Sequence, residues 1–196
     1  MWDERYADDE FAYGTEPNDF LAEHSGMLSG PVLSLAEGEG RNAVFLASLG
    51  LEVVGVDGSA VGLAKAQKLA ALKGVSIQTT VVDLETYTPP ANFFGAAVSI
   101  SAHLPSQARK RLHRLVAQSI KPGGLIMLEG YSQAQINRNT GGPKDPDMLL
   151  TRADMEQEFP GFEVLLSREV EREVIEGKFH TGLASVVQFI GKRKEK

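Results

Sequence analysis

The chain contains no cysteine among its 196 residues. That excludes disulfides, thiol nucleophiles and cysteine-ligated zinc together. It has no run of about 20 apolar residues, so nothing in it is expected to span a membrane. The amino terminus, MWDERYADDE, is charged and lacks the apolar core of a secretion signal, so a cytoplasmic protein is expected. Basic residues are too few to balance the acidic ones: 20 Lys and Arg against 26 Asp and Glu leave a net charge of −6. This argues against a nucleic-acid partner, because phosphate binding needs a basic face. No internal repeat or low-complexity linker interrupts the chain, and its length favours one domain over 1–196. What is present is a large apolar fraction, 42%, enough for a sizeable core.

The apolar residues are ordered in alternating periods. PVLSLA (31–36), LEVVGVD (51–57), VSIQTTVVD (75–83), FFGAAVSIS (93–101) and KPGGLIMLEG (121–130) read as strands, the last led by a turn. Between them, helices are expected at RNAVFLASL (41–49), from Ser59 to Gly74, and over 106–120. In the last of these, Leu112, Leu115, Val116 and Ile120 share a face, with Arg109, Lys110 and Arg114 turned away from it. An earlier helix is expected to start at Pro17, since proline suits the first turn. This alternation predicts an α/β fold built on a parallel sheet. The ending differs: a helix over 151–159, then two strands, GFEVLLSREVERE and HTGLASVVQFIGK, separated only by VIEGKF. Six residues cannot hold a parallel crossover, so an antiparallel hairpin is expected. Residues 132–147 form a polar insertion of a length often used for lids or binding loops. The first 16 residues carry Trp2, Tyr6, Phe11 and Tyr13, an aromatic arm or lid.

In open parallel sheets ligands bind beyond the carboxyl ends of the strands, which places the site at LAEGEGRNA (35–43). GEGRNA satisfies the dinucleotide fingerprint G-x-G-x-x-[GA], and Asp57 follows Gly40 by 17 residues, near the ribose-binding position. A nicotinamide reductase must therefore be weighed. Glu37 and Glu39 count against a pyrophosphate, since like charges ~4–6 Å apart repel by on the order of 1 to 4 kcal/mol. A cationic ligand with a ribose and no phosphates is better served, and S-adenosylmethionine (SAM) is such a ligand. No tyrosine has a lysine four residues on, as a short-chain dehydrogenase would need, and the chain has no room for the substrate domain of a larger dehydrogenase. Asp57 and Asp83, both at strand ends, suit a ribose diol and an adenine amino group.

The first-strand loop, Asp57, VVDL (81–84) and KPGG before the fifth strand resemble the successive motifs of class I SAM-dependent methyltransferases. WDERY…YGTEPNDFL (2–21), GEGRNAVFLA (38–47) and TGGPKD (140–145) are similar to the tellurite-resistance (TehB-like) and thiopurine-methyltransferase-like branch. The resemblance implies a Rossmann-like three-layer sandwich. Its seven-stranded, mostly parallel sheet has order 3-2-1-4-5-7-6, with the last strand antiparallel and helices on both faces. It implies methyl transfer to a small-molecule acceptor, with S-adenosylhomocysteine (SAH) as product and no metal, by a monomer or homodimer. A soft acceptor, a tellurite- or selenite-type oxyanion or a thiol, fits in-line displacement. A SAM-binding regulatory module without turnover is the reading from another class. Carried over onto this chain, the cofactor-binding residues are Tyr13, Glu37, Gly38, Gly40, Arg41, Asn42, Asp57, Gly58, Ser59, Asp83, Leu84 and Ser101.

The chain departs from the family where an acid is usual and Ser34 stands, and where the first glycine is Ala36. An alanine is tolerable there if its backbone angle is ordinary. Glu37, three residues along, is expected to supply the missing carboxylate for the cofactor's amino group. Arg41 could reach the cofactor carboxylate or balance Glu37 and Glu39. Among candidate catalytic residues, His103 after the fourth strand could contact substrate, act as a base, or only bond local backbone. Tyr131 after the fifth strand suggests a wall or positioning role. His180 reads as structural, although the branch resembled has EG-x-x-H there too. His24 and His113 read as surface helix residues.

Overall fold

The computed structural model describes residues 2–195. Its strands are β1 (Val32–Leu35), β2 (Val53–Asp57), β3 (Gln78–Val81), β4 (Phe94–Ile100), β5 (Ile120–Tyr131), β6 (Phe162–Glu176) and β7 (His180–Arg193). They form one sheet in the order β3-β2-β1-β4-β5-β7-β6. The first five pair in parallel, and β7 runs antiparallel to both β5 and β6. β1 and β4 are buried throughout, as strands covered on both faces must be.

The helices are α1 (Trp2–Arg5), α2 (Asp19–His24), α3 (Arg41–Ser48), α4 (Ala60–Leu72), α5 (Ser106–Ser119) and α6 (Arg152–Glu158). Two cores lie on opposite faces of the sheet. Side chains of α2, α3 and α4, among them Phe20, Leu46 and Leu69, pack on Val32, Val98 and Met127. Leu112 and Val116 of α5, with Met155 of α6 and Phe159 beyond it, pack on Leu33, Ala97 and Phe189. At about 25 cal/mol per Å² of apolar surface removed from water, these two layers are the main stabilising term.

Several expectations need correction. The helix assigned to Pro17 starts at Asp19, because the Asn18 side chain accepts the Leu21 N–H and caps it. β3 is shorter than 75–83, and VIE of VIEGKF belongs to β6. Arg109 and His113 do not face solvent: each is 3% exposed. Glu158 of α6 explains both, since Arg109 donates to it at 2.8–3.2 Å and His113 Nδ1 lies 2.6 Å from its Oε2. A buried charge is tolerated when an opposite charge meets it. The insertion 132–147 contains a short 3-10 turn, Gln133–Asn137, and Gln135 is fully buried, bonding Thr140, Gly141 and Ser185.

Candidate active site

The chain order reverses between β1 and β4, and their carboxyl ends, with that of β2, floor a cavity of about 780 Å³. That is the size of a small-molecule site. Of the sequence-predicted residues, Tyr13, Glu37, Gly38, Arg41, Asn42, Asp57, Gly58, Asp83, Leu84, Ser101 and His103 line it. Gly40, Ser59 and Tyr131 do not. Ser59 caps α4, its hydroxyl accepting the Gly62 N–H. Tyr131 lies in an adjoining cleft with Glu129, Arg172 and Glu176, its ring stacked on His103 and edge-on to His180.

The glycine loop is shaped by the protein's own close contacts. Gly38 and Gly40 have φ of 58° and 93°. A Cβ on Gly38 would lie 2.7 Å from the Tyr6 hydroxyl, and one on Gly40 would lie 2.6 Å from Ala66 Cβ. Gly38 therefore makes room for the amino-terminal arm, and Gly40 for the contact of α3 with α4. Ala36 does not meet the condition of an ordinary backbone angle: its φ is 50°. Ser101, at the opposite rim, has φ 55°. Left-handed non-glycine residues cost on the order of 1–2 kcal/mol and gather at functional sites.

The acids divide by role. Glu37 is 5% exposed and folds back beneath the loop. Its Oε1 accepts the Ala43 N–H at 2.8 Å and its Oε2 accepts the Ser34 hydroxyl. Gly55 of β2 leaves the space, since a Cβ there would lie 3.0 Å from Glu37 Cγ. Burial pushes the Glu37 carboxyl up to about 7, against the Ser34 and Ala43 bonds and the Arg41 charge. Asp57 accepts Gly38 N–H on Oδ2 and Ser59 N–H on Oδ1, both at 2.8 Å, and burial raises its carboxyl above the ordinary value. Asp83 is exposed and caps its own turn through the Glu85 N–H.

Glu39 neither points to solvent nor offers a free charge to a ligand. Its Oε1 lies 2.5 Å from Lys65 Nζ, and its Oε2 accepts the Ala12 and Tyr13 N–H groups at 2.8 and 3.4 Å. Lys65 in turn donates to the carbonyls of Asp8 and Glu10 at 2.8 and 2.7 Å. This pair straps residues 6–13 across α4 and places Tyr6 against the glycine loop. Lys65 belongs to no sequence motif that would mark this contribution.

The cationic end of the cavity also differs from expectation. Arg41 Nη2 donates to Glu176 Oε2 at 2.8 Å, so Arg41 balances Glu176 rather than Glu39. Its Nη1 is buried without a partner among the described residues. Asn42 Oδ1 accepts the Asn18 N–H, tying α3 to the start of α2. His103 Nδ1 donates to the Met148 carbonyl at 3.1 Å, and its Nε2 accepts the Tyr131 N–H at 3.3 Å. Burial, with the nearby His180 and Arg109, pushes its imidazole down to about 4 despite the Met148 bond. His103 is therefore neutral near pH 7, and neither nitrogen is free to take a proton. His180, read as structural, lines the cavity with its ring 4.6 Å from that of Tyr13. Arg5 and Trp2 of the arm and Met148, just past the insertion, add to the wall.

Residues 32–124 match the family model described as a methyltransferase domain. No curated protein sequence matches it. Among solved structures, it is similar to one reported for the conversion of a disulfide bond into a thioacetal group during echinomycin biosynthesis. The identity is 19%, with 98% of this chain and 91% of that one covered and a TM-score of 0.75. TehB from Haemophilus influenzae is similar at 15% identity, with 98% and 66% covered and a TM-score of 0.75. Magnesium protoporphyrin IX methyltransferase from Synechocystis PCC 6803, solved with bound SAH, is similar at 15% identity, with 89% and 78% covered and a TM-score of 0.65. These likenesses show the fold, a Rossmann-like seven-stranded sheet shared with class I methyltransferases. Among the described residues no helix is long and apolar enough to cross a membrane, and no cluster of His, Asp or Glu could hold a metal ion.

Proposed function

We propose that residues 1–196 form one SAM-dependent methyltransferase domain acting on a small-molecule acceptor. The observation that carries this reading is Asp57. Its oxygens accept the Gly38 and Ser59 N–H groups, which fix the carboxylate where it lines the cavity at the end of β2, an arrangement suited to a vicinal diol. In this reading Asp57 holds the ribose, Asp83 and Leu84 flank the adenine, and Glu37 faces the amino group. Glu37 fits that part because a buried carboxyl poised near 7 gains most from an incoming cation. When bound, the cofactor supplies a methyl group already activated on a sulfonium. The chain's task is then to orient the acceptor and exclude water, which alone lowers a barrier by several kcal/mol.

A nicotinamide cofactor is disfavoured by Tyr6. Its hydroxyl stands at Gly38, where a pyrophosphate would need the loop, and the buried Glu37 and Asp57 carboxyls lie beside it. The resemblance of residues 2–21, 38–47 and 140–145 to the tellurite-resistance branch supports a soft acceptor, a thiol or a tellurite-type oxyanion. Titration calorimetry with SAM, SAH and NADPH tests the reading. SAM and SAH are expected to bind, and Asp57→Asn to weaken both about 10-fold or more, the worth of hydrogen bonds to a charged group. NADPH binding without SAM binding would overturn it.

A further inference from the structure

His180 and Glu176 form a carboxylate–histidine pair at the cavity wall. They flank the three-residue turn of the β6–β7 hairpin, Gly177 to Phe179. Nδ1 of His180 is buried and faces Glu176 Oε2 at 3.7 Å, without a hydrogen-bond partner among the described residues. No hydrogen bond engages Nε2 among the described residues, and His180 lines the cavity. The ring is held by Tyr13 from the arm and Tyr131 from β5. Glu176 is itself fixed: Arg41, Arg172 and Asn18 donate to it at 2.8, 3.1 and 2.9 Å. Burial alone would raise its carboxyl, but His180, Arg41 and Arg172 outweigh burial and hold it well below the usual range. The pair thus presents a permanent anion behind one nitrogen and leaves the other unengaged at the cavity wall. His103 offers neither.

We propose that His180 Nε2 is the proton acceptor of the transfer, and that the substrate is a neutral thiol rather than a preformed oxyanion. This rests on the methyltransferase reading above. The thiol S–H bond breaks toward Nε2, and its electron pair forms the new bond to the methyl carbon. The pair of the methyl's former bond stays with the cofactor sulfur, and water afterwards takes the proton from Nε2. Glu176, 3.7 Å from Nδ1, stabilises the imidazolium in between, and its charge favours the tautomer that carries the proton on Nδ1 and leaves Nε2 unprotonated at the start. A preformed anion would need no such base.

Two measurements on the full chain test this. Diethyl pyrocarbonate, followed by peptide mass mapping, is expected to modify His180 and to spare His103, whose nitrogens are both engaged. An unmodified His180 overturns the proposal whatever the turnover. SAM-dependent methylation of 2-mercaptoethanol is expected to fall about 100-fold or more in His180→Gln, with SAM affinity unchanged by calorimetry. His180→Ala is expected to regain activity with added imidazole, which a merely structural histidine would not allow. Equal rates in His180→Gln and wild type, transfer to selenite but not to the thiol, or no transfer to either with SAM bound each overturn it. Failure of the wild-type chain to bind SAM would instead refute the methyltransferase reading.

Discussion

Glu37→Gln separates a buried acid that destabilises the free protein from one that serves its ligand. The wild-type carboxyl is raised by burial from 4.5 to about 7 in the folded chain. At about 1.4 kcal/mol per pH unit, this is a preference of about 3 kcal/mol for the protonated form. The folded state binds the proton more tightly than the unfolded one. The group's stabilising contribution is therefore complete below 4.5 and is lost as pH rises through about 7. Glutamine is the same shape. Its Oε1 can keep the Ala43 N–H, and its amide can donate to the Ser34 hydroxyl, so no partner is left unsatisfied. Urea unfolding without ligand at pH 5 and pH 8 is the assay. The variant is expected to gain on wild type by up to about 3 kcal/mol between those values. SAM affinity should move the other way, the variant binding more weakly above pH 7. Wild-type affinity should fall up to about tenfold per pH unit as pH drops below that value. Parallel stability profiles, or an unchanged dissociation constant, would refute the role given to Glu37.

Two further substitutions address the elements around the site. Gly40→Ala places a Cβ 2.6 Å from that of Ala66 at a φ of 93°. It should cost at least about 1–2 kcal/mol in thermal unfolding, and an unchanged midpoint would mean that α3 and α4 separate freely. Glu39→Gln leaves Lys65 buried without its counter-charge and should cost about 3 kcal/mol. Hydrogen exchange at Ala12 and Tyr13 should quicken; equal exchange would show that the arm is held by its aromatic packing instead.

The sheet was legible because strands buried on both faces read as unbroken apolar runs, and because six residues between the last two strands forbid a crossover. Helix starts were less so. Pro17 suits a first turn, but the cap that decides the matter is the Asn18 side chain. Arg109 and His113 misled because the acid that draws them inward, Glu158, lies 49 and 45 residues away. The same holds at the site. Glu37 and Asp57 could be picked out as strand-end acids, whereas Glu39 is spent on backbone N–H groups 26 and 27 residues earlier in the chain. Ala36 carries a residue that ordinary backbone would favour, yet its φ is 50°. His103 and His180 look alike as letters. What separates them is which ring nitrogens the backbone engages, and only the folded chain settles that.

The most direct test of the account is a crystal structure of the chain with SAH. The predicted result is SAH in the cavity at the ends of β1, β2 and β4, its ribose hydroxyls within hydrogen-bonding distance of Asp57 and its amino group facing Glu37. SAH bound elsewhere, or in the cavity with its ribose away from Asp57, would contradict it.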